Sequence, residues 1–141
     1  MNRSVSEVLS EISRLKTKKE RVEALRFAGD FTTKSILQGV FDPRIVWMLP
    51  EGEVPYKPNV LDDVEGVLKT ESRKLYLFVK GGNPNLKQAR REVLFIEMLE
   101  KLDRRDAELL VYVKDKKLPD QMKGITKDVV FEAFPEFNPK K

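Results

Sequence analysis

Leu86 to Phe137 reads LKQARREVLFIEMLEKLDRRDAELLVYVKDKKLPDQMKGITKDVVFEAFPEF, and the division of this stretch decides the fold. From Val93 to Leu102 the residues Val93, Leu94, Phe95, Ile96, Met98, Leu99 and Leu102 leave almost no polar face. That pattern predicts a helix with protein on most sides, the central helix of the core. Asp103 is placed to cap a second helix carrying Leu109, Leu110 and Val113. A lysine-rich loop with Pro119 and Gly124 then delivers Thr126 as cap of a third helix, TKDVVFEAF. The unit is helix, helix, basic loop, short helix.

Upstream, Ser4 and Glu7 have the spacing of a capping box, and Val5, Val8, Ile12 and Leu15 recur at helical spacing. Thr17 starts a second helix with Val22 and Leu25 on its apolar side, Phe27 a candidate for the same side, and Gly29 placed to end it. Basic residues here alternate with Glu11, Glu20 and Glu23, the pattern of a solvated face with ion pairs along the helix. Thr32 or Thr33 can cap a third helix through Ile36, Leu37 and Val40, stopped by Asp42-Pro43. The stretch FDPRIVWMLPEGEVPYKP, residues 41–58, holds four prolines, which argues against a long helix. Within it Trp47, Met48 and Tyr56 form a candidate anchor for a protein partner, and the alternative is that Ile45, Val46, Trp47 and Leu49 fold back over the core. Asn59 or Asp62 opens a further helix burying Leu61, Val64, Val67 and Leu68. The segment RKLYLFVKGG suits a strand or a helix. No second convincing strand is present to pair with it, so a helix is predicted, ended by Gly81 and Gly82, with Asn83-Pro84 turning the chain onward.

With 141 residues, 40% apolar and 35% charged, the chain is read as one soluble all-α domain of six or seven helices over residues 1–137, with a frayed tail at 138–141. It lacks an apolar run long enough for a membrane span and a hydrophobic N-terminal signal segment, so the expected location is cytoplasmic. Zero cysteines and zero histidines remove disulfides, thiolate chemistry, the usual metal ligand and the usual general base. The formal charge of +4, from 27 Lys and Arg against 23 Asp and Glu, is modestly basic. Between Lys114 and Lys127 five lysines face two aspartates, a local excess of three positive charges.

The stretches LFIEMLEKLDRRDAELLVYVKDKKLP and GITKDVVFEAFPEF, with EVLSEISRLKTKKERVEALRFAGDFTTKSILQGVFDPRI at the N-terminal end, carry a resemblance. In order and character they resemble the N-terminal helical DNA-binding domain of the ATP-dependent DNA ligases of tailed bacteriophages, including an aromatic-Asp-Pro corner after the third helix. The resemblance runs roughly from Ser4 to Phe137. It implies a compact helical bundle lying across the minor groove around a nick, phage-encoded and acting in the host cell cytoplasm. Its contacts to the sugar-phosphate backbone would be sequence-tolerant. Carried onto this chain, it points to Lys114, Lys116, Lys117, Lys123 and Lys127, with the Gly124 and Ile125 amides and the Thr126 hydroxyl as a phosphate clamp at a helix start. Arg90, Arg91, Arg104 and Arg105 would flank it. Ligases of this family place a short glycine-containing turn where this chain has the longer KDKKLPDQMK.

Catalysis is not expected. A ligase needs a lysine nucleophile in a Lys-x-Asp-Gly setting, and the nearest text, VKDKK at Val113 to Lys117, lacks the spacing and the glycine. GGNPNLKQ lacks the Gly-Lys-Ser/Thr ending of a phosphate-binding loop. Asp62, Asp63 and Glu65 are the nearest approach to a cation site, and acids at a helix start explain them as well. The expected function is therefore non-catalytic binding of duplex or nicked DNA, accessory to replication or repair. It would use no metal, cofactor, membrane or small-molecule substrate. The alternative is an adaptor that docks on a replication or host protein.

Overall fold

The computed structural model describes residues 4–57 and 67–139. The expectations placed on Asn59, Leu61, Asp62, Asp63, Val64 and Glu65, and on Lys140 and Lys141 of the tail, lie outside those residues. The architecture is all-α: α1 (Val5–Ser13), α2 (Lys18–Ala28), α3 (Phe31–Phe41), α4 (Val67–Glu71), α5 (Gln88–Lys101), α6 (Arg104–Val113) and α7 (Lys127–Ala133). A 3-10 helix, Ser72–Phe78, continues α4, and shorter 3-10 turns occupy Asp120–Met122 and Pro135–Phe137. One apolar cluster joins these elements, from Val5 on α1 to Phe137 at the last turn.

Local chemistry accounts for most helix ends. Ser4 Oγ accepts the Glu7 N–H. The reciprocal capping box forms at Thr17, whose hydroxyl accepts the Glu20 N–H while the Glu20 carboxylate accepts the Thr17 N–H. α3 begins earlier than the threonines suggested. Asp30 accepts the Thr33 N–H at 2.8 Å, and Thr32, now inside the first turn, hydrogen-bonds to Ser72 across the core. Aspartate ranks above threonine as a helix cap, and the threonines are left to pack. Asp103 and Thr126 cap α6 and α7 as predicted. Gly29 closes α2 without a left-handed turn. A Cβ there would lie 2.9 Å from the Phe134 ring, so the glycine serves close packing of α2 against α7.

The central helix is α6, a correction to the assignment of that role to the preceding helix. α6 packs on α1, α3 and α5, and Ala107, Leu109, Leu110 and Val113 are all buried. α5 packs on α6 and the long 3-10 helix. It buries Phe95, Met98 and Leu99, but Val93 is 44% exposed and Leu94 and Ile96 only half-buried. A helix apolar nearly all round thus lies at the margin, with an apolar edge toward solvent.

Leu75 and Phe78 are buried by the 3-10 helix. Phe78 meets Phe95 edge-to-face with centroids 5.2 Å apart. Beyond it the chain straightens enough for one antiparallel bridge, Trp47 to Val79, bracketed by Met48 N–H to Phe78 O and Lys80 N–H to Val46 O. The partner for this segment was hidden in the proline-rich stretch. That stretch, 42–57, is an ordered strap wound across the bundle.

Candidate interaction sites

The strap begins at Asp42, a buried carboxylate with four donors. It accepts from Gln38 Nε2, the Arg44 N–H, Arg44 Nε and Arg44 Nη2, and Arg44 Nη2 also reaches the Glu136 carbonyl. Burial raises the Asp42 pKa, but the Arg44 hydrogen bonds, helped by Gln38, outweigh it and hold the carboxyl below its ordinary value. The Trp47 indole N–H donates to Gly39 O at 2.9 Å, and a Cβ on Gly39 would sit 2.6 Å from the ring. The tryptophan is therefore a wedge against α3, with Val46 and Met48 on the opposite, exposed side of this extended segment. Gln88 holds Met48 O, and the Lys57 N–H reaches Glu100.

The basic stretch supplies the next tether. Lys114 donates to Gly52 O and to Asp115, which in turn accepts the Gly52 N–H, so one residue of the strap is held by both its backbone groups. The Lys114 side chain is 1% exposed. α6 ends in a Schellman motif, with Lys116 N–H to Val113 O and Lys117 N–H to Tyr112 O. Lys116 occupies the left-handed position at φ 61°, where glycine is usual. Its ammonium reaches back to Gly39 O and Asp42 O at 3.0 and 2.8 Å, closing the C-terminal end of α3. Burial lowers the Lys116 pKa, and the Asp42 carboxylate partly restores it.

Other predicted phosphate contacts are similarly engaged. Arg91 is buried, and its guanidinium donates to Leu77 O, Gln88 Oε1, Asn83 O and Leu86 O, fastening the 77–88 loop to α5. Arg105 pairs with Glu7 at 3.2 Å and Asp103 at 3.3 Å. The Gly124 N–H donates to Ser13 Oγ at 2.7 Å, and a Cβ on Gly124 would lie 2.3 Å from Ser13 O. The Ile125 N–H goes to Met122 O, and Thr126 caps Val129 at 3.4 Å. The amides expected to cradle a phosphate are therefore occupied by the protein itself. Lys117, Lys123, Arg90 and Arg104 remain exposed, and Lys127, also exposed, stands 5.7 Å over the Phe131 ring. These cations are spread over α5, both ends of α6, the Asp120–Met122 turn and α7.

Of the predicted protein anchor, Trp47 and Tyr56 fall in two different clefts, and Met48 lines neither. Trp47 lies in a cleft of about 300 Å³ with Phe31, Leu75, Tyr76, Val79 and Arg73. Phe31 is 62% and Tyr76 55% exposed; Phe31 was not singled out by the pattern of apolar residues, and Tyr76 belongs to the apolar run of RKLYLFVKGG that reads as a buried strand or helix. Tyr56 lies in another cleft, of about 420 Å³, with Tyr112, Glu108, Asp115 and Lys117. Its burial, and then the Glu108 charge, raise the phenol pKa.

A family model described as Family of unknown function (DUF6433) matches residues 8–120. The chain belongs to that family. No curated protein and no solved structure matches it. The DUF6433 match spans the Trp47 and Tyr56 clefts and the Lys114 and Lys116 tethers, and it ends before the Lys123–Lys127 loop.

Sequence reading also passed over the other large groove, between α1, α2 and the start of α3, about 1000 Å³ in volume. Phe27, a candidate for the buried side of α2, stands on its rim at 96% exposure. The signal was present in the spacing. Val22 and Leu25 define the buried stripe, and a residue two positions beyond Leu25 is turned roughly 200° from it. Among the described residues no helix is long and apolar enough to cross a membrane.

Proposed function

We propose that this DUF6433 chain is a non-catalytic protein-interaction module that docks on a replication or host protein through the Trp47 cleft. The observation that carries the reading is the pair Phe31 and Tyr76, 62% and 55% exposed, flanking an indole already fixed by Gly39. Exposed aromatic rings beside a rigid apolar floor are the usual anchors of protein interfaces. Arg73 on the same cleft adds a cation for an acidic rim on the partner. Affinity capture from host extract with wild type and Tyr76→Ala tests this. A partner retained by the wild type and lost with Tyr76→Ala is expected, while identical capture by both proteins refutes docking at this cleft.

A second reading, sequence-tolerant DNA binding as an accessory in phage replication or repair, draws on the resemblance to the ligase domain. It also draws on the exposure of Lys117, Lys123, Lys127, Arg90 and Arg104. With so few free cations the affinity would be weak, micromolar or worse, and would fall steeply with salt. Anisotropy of a labelled duplex, intact and nicked, measures it. Loss of binding in Lys123→Glu plus Lys127→Glu would support this reading, and salt-insensitive binding would oppose it.

A further inference from the structure

We infer that the α1–α2 groove is a second docking site, whose occupant is a basic amphipathic helix of a partner protein. The floor comes from the stripe Val5, Val8, Ile12 and Leu15 on α1, of which Val8 and Leu15 stay half-exposed. Phe27 rises from the opposite wall, almost wholly in water. A ring of that size in solvent next to an apolar trough leaves burial free energy that a partner would gain.

Charge identifies the partner. Among the described residues, the titratable groups lining the groove are Glu11, Glu20, Glu23 and Asp30, with no Lys or Arg. Glu20 is held by Thr17, Asp30 caps α3, and Glu11 also has a partner within the chain, so these acids are fixed at the rim. Glu23 extends into solvent. On a chain of formal charge +4 this is a local reversal of sign. A helix with apolar residues on one side and lysines or arginines beside them meets both the floor and the acidic lining. α1 has nine residues, a wall of about 13 Å, enough for two to three turns of such a helix.

This inference shares with the proposed function only the idea of a protein partner, and it uses a different surface. The test is anisotropy of a fluorescein-labelled helical peptide of Leu and Lys, about 14 residues long, with a Leu/Glu isomer as control. The full chain would be compared with Phe27→Ala and Glu23→Lys. Both positions are exposed, and circular dichroism checks that the variants fold. The Leu/Lys peptide should bind, the Leu/Glu isomer should not, and each substitution should weaken binding roughly tenfold. Equal binding of both peptides, binding indifferent to both substitutions, or no binding would overturn the proposal. So would self-association abolished by Phe27→Ala, since the occupant would then be a second copy. The Tyr76→Ala capture experiment is unaffected by these outcomes, so the Trp47 cleft reading stands or falls separately.

Discussion

Two faces of the bundle treat their side chains in opposite ways. Around the C-terminal end of α6, Lys114 and Lys116 are turned inward and bind the carbonyls of Gly52, Gly39 and Asp42. On the α1–α2 face, Phe27 is turned outward above an acid-rimmed trough. The first face uses charge to satisfy backbone and leaves little of it for a ligand. The second leaves apolar area uncovered, which is what a protein partner can bury. A cation count in a loop therefore does not measure a binding surface. The relevant quantity is the number of cations left after helix ends and straps have been satisfied.

The sharpest way to break this contrast lies beside the first face, at Arg91. Arg91→Ala removes a buried guanidinium that binds three loop carbonyls and the Gln88 side chain. A loss of about 3 kcal/mol is expected in urea unfolding. A variant as stable as wild type but defective in binding DNA would return Arg91 to a ligand surface. Next is Lys116→Ala, expected to cost about 2 kcal/mol because it keeps the left-handed backbone and loses both α3 carbonyl contacts. Lys116→Gly should cost less, since it relieves the φ 61° conformation. Lys117→Ala, one residue on and exposed, should stay within about 0.5 kcal/mol of wild type.

A third test uses two buried carboxylates with opposite titration. Asp106 on α6 accepts the Ser6 N–H at 2.9 Å, binding the first turn of α1 from across the core. Burial dominates and pushes its pKa up from 3.8 to about 6, against the Ser6 and Val5 amides. A raised acid pKa means that the folded state binds the proton more tightly. The contribution is full below 3.8 and is lost as pH rises through about 6. Asp106→Asn keeps an acceptor and removes this dependence. The stability of the Asn variant relative to wild type should therefore grow by about 2 kcal/mol between pH ~4 and pH ~7. Asp42, with a lowered pKa, has the opposite sign, and its contribution is present above 3.8 and lost in acid. Unfolding midpoints of wild type and Asp106→Asn across that range decide the matter, and a flat difference would mean that Asp106 is not perturbed.

The smallest effect belongs to the second face. Phe27→Ala should change stability by less than about 0.5 kcal/mol, because the ring is 96% exposed. A loss of several kcal/mol would show that the ring is covered in solution and would remove the contrast between the faces.

Much of the helical order was legible, because caps and breakers act over three or four residues. Ser4, Thr17, Asp103, Thr126 and Asp42-Pro43 mark boundaries through backbone chemistry that needs no distant partner. The partly open stripe on α1 and the exposed edge of α5 were not legible, since periodicity reports which residues share a face and not whether another element covers it. The candidate site suffered from the same limit. Gly124 looked like an open phosphate amide because the Ser13 hydroxyl that occupies it lies 111 positions away.

By itself the sequence determined the helical class, several caps, the corner at Asp42, and a surface chemistry without thiols or imidazoles. Only the tertiary structure decided that α6 is the central helix, that Lys114, Lys116 and Arg91 hold backbone, and that Phe31 and Tyr76 face water. The physical reason is range. Helix propensity and capping are set by neighbours along the chain, whereas burial and the partner of a long charged side chain are set by whatever the fold brings alongside.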